Sequence, residues 1–135
     1  MNERKWKVLL VDDEPSILKV VGKRLQVEGY DVVVAADGQE AMEKAQQEHP
    51  DLIVLDLMLP KLSGFDVCVQ LKKDRRSRDI PIITIFSGKG STEDADRCRQ
   101  AGAAAYVSKG HGAGPLLDQI KTLLKEFPGQ PSPPA

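Results

Sequence analysis

Short unbroken apolar runs alternate along this chain with longer stretches in which apolar residues recur every three to four positions. The first short run, Val8–Val11, ends in acidic residues. Pro15 to Val27 follows, with Ile17, Val21 and Leu25 at i, i+4 and i+8 and Leu18 beside them, the spacing of one helical face. Pro15 suits a first helical turn and Gly29 a helix stop. Asp31–Ala35 holds three consecutive valines and predicts a buried strand. Asp37-Gly38-Gln39-Glu40 has the form of a capping box and opens a helix that carries Ala41, Met42 and Ala45.

The same rhythm continues. Leu52–Leu55 predicts a third strand that ends on Asp56. Pro60 to Gly64 reads as a loop, with Ser63 capping a helix that holds Val67, Cys68 and Leu71. Lys72 to Asp79 reads as a solvated, charged connector, and Ile80–Phe86 as a fourth strand. Ser91 or Thr92 caps a short helix containing Ala95 and Cys98, closed by Gly102. Ala104–Val107 is the fifth strand. Pro115 opens a last helix with Leu116, Ile120, Leu123 and Phe127 on one stripe. Beyond Phe127 prolines dominate, which predicts a tail or linker over residues 128–135.

Five strands thus alternate with five helices. Strands that are apolar throughout, not at every second position, are buried on both faces. Repeated strand–helix units require a parallel sheet with right-handed crossovers. The predicted fold is a three-layer α/β sandwich. A length of 135 residues suits one domain with a single core.

Charge adds little globally. The 19 basic and 20 acidic side chains leave a net charge of −1, which makes no case for nucleic acid or an anionic membrane. Cys68 and Cys98 are too few for a disulfide framework and are expected to be reduced and buried. The N-terminus has no apolar signal core, and no apolar run approaches the ~18 residues of a membrane span. The expected location is the cytoplasm.

The chemistry gathers at the strand ends. In doubly wound sheets, ligands bind beyond the carboxyl ends of the strands. Strand one is followed by Asp12, Asp13 and Glu14; strand three ends at Asp56; strand four leads to Ser87 and Gly88; strand five leads to Ser108 and Lys109. One acid after a strand is often a helix cap. Three carboxylates converging from two strands repel one another, and a hard divalent cation such as Mg²⁺ relieves that cost.

Val11-Asp12-Asp13-Glu14, Asp56-Leu57-Met58-Leu59-Pro60 through Gly64, Ser87-Gly88 and Tyr106-Val107-Ser108-Lys109 together resemble the receiver domains of bacterial two-component response regulators, chemotaxis regulators among them. The resemblance runs from Lys5 to Phe127. It implies a flavodoxin-like (βα)₅ fold with strand order 2-1-3-4-5. It also implies a phosphorylation-dependent switch that is not an enzyme with external turnover. Asp56 would be the phosphoacceptor, and Asp12, Asp13, Asp56 and the Met58 backbone carbonyl would hold Mg²⁺, with Mn²⁺ as a substitute. Lys109 would steady the phosphoryl oxygens, Ser87 would bond the attached group, and the Tyr106 rotamer would follow Ser87. The implied partners are a histidine kinase or histidine phosphotransfer protein upstream. Downstream stands a protein target or an output domain missing from this chain, read through the surface of helix four, strand five and helix five. A phosphorylation-dependent homodimer is also implied; direct contact with nucleic acid or membrane is not.

Three departures qualify the resemblance. The family's usual Lys-Pro is here Lys109-Gly110, with His111, Gly112, Ala113 and Gly114 following. A cis bond without proline costs about 2.5–4 kcal/mol, and glycines loosen a loop, so a less pre-organised Lys109 is expected. The hydroxyl after strand four also falls one residue late. Ser87 is assigned by its interval to Lys109, and Thr84, mid-strand, is assigned to packing. Gly88 stands where the family more often has alanine. His111, alone among glycines, and His49, before Pro50, are read as neither ligands nor nucleophiles.

Two other functions compete. A pseudo-receiver would keep the fold without the chemistry. An aspartate-nucleophile phosphatase would need a second aspartate two residues after the nucleophile, where this chain has Met58. Gly88-Lys89-Gly90 lacks the length and the following hydroxyl of a phosphate-binding loop.

Overall fold

A computed structural model of the chain describes residues 5–59, 62–86, 92–108 and 113–126. Ser87, Ser91, Lys109, Gly110, His111, Phe127 and the proline-rich segment 128–135 lie outside the described residues.

The elements run β1 (Lys7–Val11), α1 (Pro15–Val27), β2 (Asp31–Ala35), α2 (Gly38–Glu48), β3 (Leu52–Asp56), α3 (Gly64–Lys73), β4 (Ile82–Phe86), α4 (Thr92–Gln100), β5 (Ala105–Ser108) and α5 (Gly114–Glu126). The five strands form one sheet in the order β2-β1-β3-β4-β5, and every neighbouring pair is parallel. This is the flavodoxin-like topology.

Successive residues of a strand point to opposite faces, and here both faces are covered. Leu9, Val11, Ile53 and Leu55 pack with Ala41 and Ala45 of α2, with Val67, Cys68 and Leu71 of α3, and with Cys98 of α4. Val8, Leu10, Leu52, Val54 and Ile83 pack with Leu25 of α1 and with Leu116, Ile120 and Leu123 of α5. β1 and β3 therefore read as continuous apolar runs, whereas β2, at the sheet edge, is not the buried strand expected: Asp31 and Val34 are exposed and only Ala35 is buried.

Several local signals act as the sequence predicts. Ser63 Oγ accepts the Asp66 N–H at 3.2 Å at the start of α3. Gly29 and Gly102 hold φ near 100° and 105°, conformations that suit glycine after a helix. Asp37 accepts the Glu40 N–H at 2.8 Å, while Glu40 reaches back to the Ala36 N–H at 2.7 Å, one residue before the position a capping box would use.

Other expectations shift. β4 begins at Ile82 and not at Ile80, because the Ile80 N–H closes a turn on Ser77 O and Pro81 has no N–H to give. β5 covers Ala105–Ser108, one residue later than Ala104–Val107. The stretch from Lys72 to Asp79 is not a plain solvated connector. α3 continues to Lys73, Ser77 is buried with its Oγ on Leu71 O at 2.6 Å, and Lys72 Nζ donates to Arg78 O and Ile80 O at 3.1 and 2.7 Å.

Candidate functional site

The sheet order makes the site. β1 and β3 are direct neighbours with Val11 opposite Leu55, so the next residues, Asp12 and Asp56, come side by side at the carboxyl edge. The Asp12 N–H still donates to Ala35 O of β2 at 3.1 Å, which holds this end of β1 in the sheet before the chain turns away.

Asp12, Asp13 and Asp56 each bring a carboxylate oxygen within 4.8 Å of the others. Asp12 and Asp56 are each 2 % exposed, whereas Asp13 faces solvent. Two short backbone bonds aim the buried pair: Asp12 Oδ1 accepts the Glu14 N–H at 2.9 Å, and Asp56 Oδ1 accepts the Met58 N–H at 3.0 Å. Such turns are what aspartate favours just after a strand. Glu14, third in the acidic run, is not among the converging carboxylates.

The donor set decides what this pocket can hold. Two unit charges at this separation repel by roughly 3 kcal/mol at an effective dielectric near 20. A hydrogen bond to a charged carboxylate returns about 1.5–3 kcal/mol, and three carboxylates make three such repelling pairs. The two turn bonds therefore do not offset the crowding, and a cation does. Three hard oxygen donors with an open, solvent-facing side fit a Mg²⁺-like ion that keeps several waters.

The loop after Asp56 is pressed against it. A Cβ on Gly64 would stand 2.4 Å from the Asp56 carbonyl oxygen and 2.6 Å from Leu57 Cα, so only glycine fits. The Gly64 N–H also donates to Leu57 O at 3.0 Å. Met58, by contrast, extends its side chain into solvent at 70 % exposure. Beside the acidic pocket, a cavity of about 300 Å³ opens between α1 and the sheet, lined by Leu10, Asp12, Ile17, Val20 and Arg24 among others.

Tyr106 lies on β5, in register with Thr84 and half-buried in the layer that α2, α3 and α4 cover. Burial pushes its phenol pKa up, and the nearby Asp94 charge pushes it further. Thr84 is fully buried with its Oγ1 on Ala105 O at 3.3 Å, the packing role expected of it. Cys68 and Cys98 are both free and buried; burial pushes the Cys68 thiol up to about 11. His49 is exposed and caps α2 with φ near 47°.

One contact has no signature in the sequence. The Arg97 guanidinium of α4 lies 3.9 Å from the Phe65 ring centroid of α3. It depends on how two helices lean together, and hydrophobic spacing does not report that.

Among the described residues, no helix is long and apolar enough to cross a membrane. Residues 8–121 match the family model for the response regulator receiver domain. The chain is 44% identical over 125 residues to a "Probable transcriptional regulator ycf27" of Cyanophora paradoxa, covering 93% of this chain and 51% of that protein. It is 39% identical over 119 residues to the "DNA-binding dual master transcriptional regulator RpaA" of Synechocystis, covering 88% and 49%. The chain thus spans about half the length of the curated relatives it matches. Its structure resembles the chemotaxis protein CheY4 of Vibrio cholerae with a TM-score of 0.83 at 32% identity, over 89% of this chain and 99% of that one. Fold, carboxylate pocket and similarity agree: the chain belongs to the response regulator receiver domain family.

Proposed function

We propose that this chain is a phosphorylation-dependent signalling switch that accepts a phosphoryl group on Asp56. The observation that carries the reading is the convergence of Asp12, Asp13 and Asp56 at the carboxyl edge of β1 and β3. Receiver domains are signalling proteins and not enzymes of substrate turnover, and Met58, where a phosphatase would need its acid, presents a thioether to solvent.

In the proposed reaction, an Asp56 carboxylate oxygen attacks the phosphorus of a phosphohistidine on a histidine kinase or phosphotransfer protein. The P–N bond breaks, its electron pair returns to the imidazole, and an acyl phosphate forms on Asp56. Asp12 and Asp13, with Asp56 and the Met58 carbonyl, would hold Mg²⁺ or Mn²⁺, which when bound supplies positive charge against the carboxylates and the incoming phosphoryl. The Met58 N–H keeps Asp56 Oδ1 oriented during attack. Buried surroundings on β1 and β3 limit the water that reaches Asp56. Lys109 would contact the phosphoryl oxygens, Ser87 would hydrogen-bond the attached group, and Tyr106 would respond through its rotamer. The protein promotes its own phosphorylation and its slow loss.

The switch would act as a receiver unit over residues 5–127, with 128–135 as tail or linker, in the cytoplasm. The surface of α4, β5 and α5 would carry the signal to a protein partner, to an output region of a longer chain, or to a second copy. The names of the relatives, transcriptional regulators, favour a DNA-binding output outside this unit. No direct nucleic-acid or membrane contact is assigned to the receiver itself.

Incubation with acetyl phosphate and Mg²⁺, followed by intact mass, tests the reading. A gain of one phosphoryl is expected, lost in Asp56→Asn and on chelation. No gain in the parent protein overturns it and favours a pseudo-receiver.

A further inference from the structure

Helix α4 is held at its α3 flank by a contact that the carboxylate pocket does not use. On the α3 side the Arg97 guanidinium stacks on the Phe65 ring at 3.9 Å. On the β5 side, burial and then the charge of Asp94, three residues earlier on the helix, push the Tyr106 phenol pKa up. Cys98 anchors the helix to the core.

Phe65 is joined to the phosphoacceptor more tightly than its place on α3 suggests. Gly64, immediately before it, leaves no space for a Cβ against the Asp56 carbonyl and the Leu57 Cα, and its N–H bonds Leu57 O. The first turn of α3 therefore moves with the Asp56 end of β3. The Phe65 ring is packed against the buried layer beneath α2, α3 and α4, so it cannot swing freely. Arg97 is exposed, and among the described residues its guanidinium rests on this flat face at its α3 flank. Its planar guanidinium suits an aromatic face better than a lysine ammonium does.

We infer that the Arg97–Phe65 stack is a latch that ties the phosphoacceptor loop to α4 and holds α4 in its unphosphorylated position. It is a route from Asp56 to the α4 surface separate from the Ser87 and Tyr106 side. The inference rests on phosphoryl capture at Asp56. A contact of this strength biases a two-state equilibrium about two- to fivefold. Because coupling is reciprocal, releasing the latch tightens binding of a phosphoryl group or its analogue by the same factor.

Beryllofluoride with Mg²⁺ serves as the analogue, titrated onto the parent protein, Arg97→Ala, Arg97→Lys, Phe65→Leu, the Arg97→Ala/Phe65→Leu double variant and Arg99→Ala. Arg99 is a neighbouring exposed arginine paired with Asp96 within α4, so it controls for loss of charge alone. Affinity is read by titration, and amide exchange over α4 is read before ligand is added. Arg97→Ala and Phe65→Leu are expected to bind about two- to fivefold more tightly than the parent, and to exchange α4 amides faster without ligand. The double variant is expected to bind no more tightly than either single one. Arg97→Lys should fall between Arg97→Ala and the parent, and Arg99→Ala should match the parent. A merely weakened fold gives no tighter binding, so unchanged or weaker binding in Arg97→Ala overturns the latch. An equal gain in Arg99→Ala also overturns it. Failure of the parent to bind beryllofluoride overturns phosphoryl capture itself, and the latch with it; binding by the parent confines any failure to the latch.

Discussion

Gly64 shows how a single residue can set the position of a neighbouring carboxylate, here Asp56. Adding a methyl there forces backbone against backbone, since the atoms it meets are the Asp56 carbonyl and the Leu57 Cα, not the flexible end of a side chain. Gly64→Ala is expected to lower stability by about 1–3 kcal/mol, read as the urea midpoint, and to slow phosphoryl gain on Asp56; an unchanged midpoint would contradict the contact. Cys68 makes a second residue-scale prediction. Burial is the main cause of its raised pKa, near 11, with the neighbouring Lys72 charge opposing and Cys98 adding. Only the thiolate reacts, so native Cys68 should resist a thiol reagent at neutral pH and react only on unfolding. Rapid native labelling near pH 7 would contradict its burial. The carboxylates were legible in the sequence because each lies at, or one or two residues past, the end of an apolar run. The Phe65–Arg97 contact was not, because nothing local to Phe65 or Arg97 encodes the lean of α3 against α4.

At the scale of elements, the same logic explains what the pattern misjudged. Periodicity finds the apolar body of a strand but not which residues join the ladder. Ile80 and Pro81 extend the apolar run of β4, yet Ile80 bonds back into the turn through Ser77. The α3–β4 connector looked solvated because five of its eight residues from Lys72 are basic. Its order comes from backbone carbonyls that Lys72 and Ser77 cap, and these are invisible in composition. Asp74 makes the connector's pH behaviour testable. Side-chain bonding to Arg76 is the largest cause that lowers its pKa, from about 3.8 to about 2. A carboxylate lowered on folding stabilises above its unfolded value and loses that contribution as pH falls toward the folded one. The stability difference between parent and Asp74→Asn should therefore be full above about pH 4 and fade toward about pH 2, measured by denaturant melts across that range. A difference that grows on acidification would refute the pairing.

For the whole molecule, the three crowded carboxylates are expected to make the fold itself sensitive to divalent cations. An ion that binds only the folded state adds about 2.7 kcal/mol of stability at a hundredfold excess over its dissociation constant. Mg²⁺ should raise the melting temperature of the parent. Asp13→Asn should melt higher than the parent without metal, because one repelling charge is gone, and gain less when Mg²⁺ is added. An equal metal increment in both proteins would remove Asp13 from the site. The pocket's placement on β1 and β3 also bears on how the chain matures. β1 can pair early with β2, its neighbour in sequence, but its β3 partner arrives only after β2 and α2 have been made. Parallel pairings between distant segments form late, and synthesis proceeds from the N-terminus. A nascent or half-folded chain therefore carries Asp12 and Asp13 without Asp56 beside them. Phosphoryl acceptance would then act as a quality check, because only a chain whose central ladder has closed can enter the signalling pool.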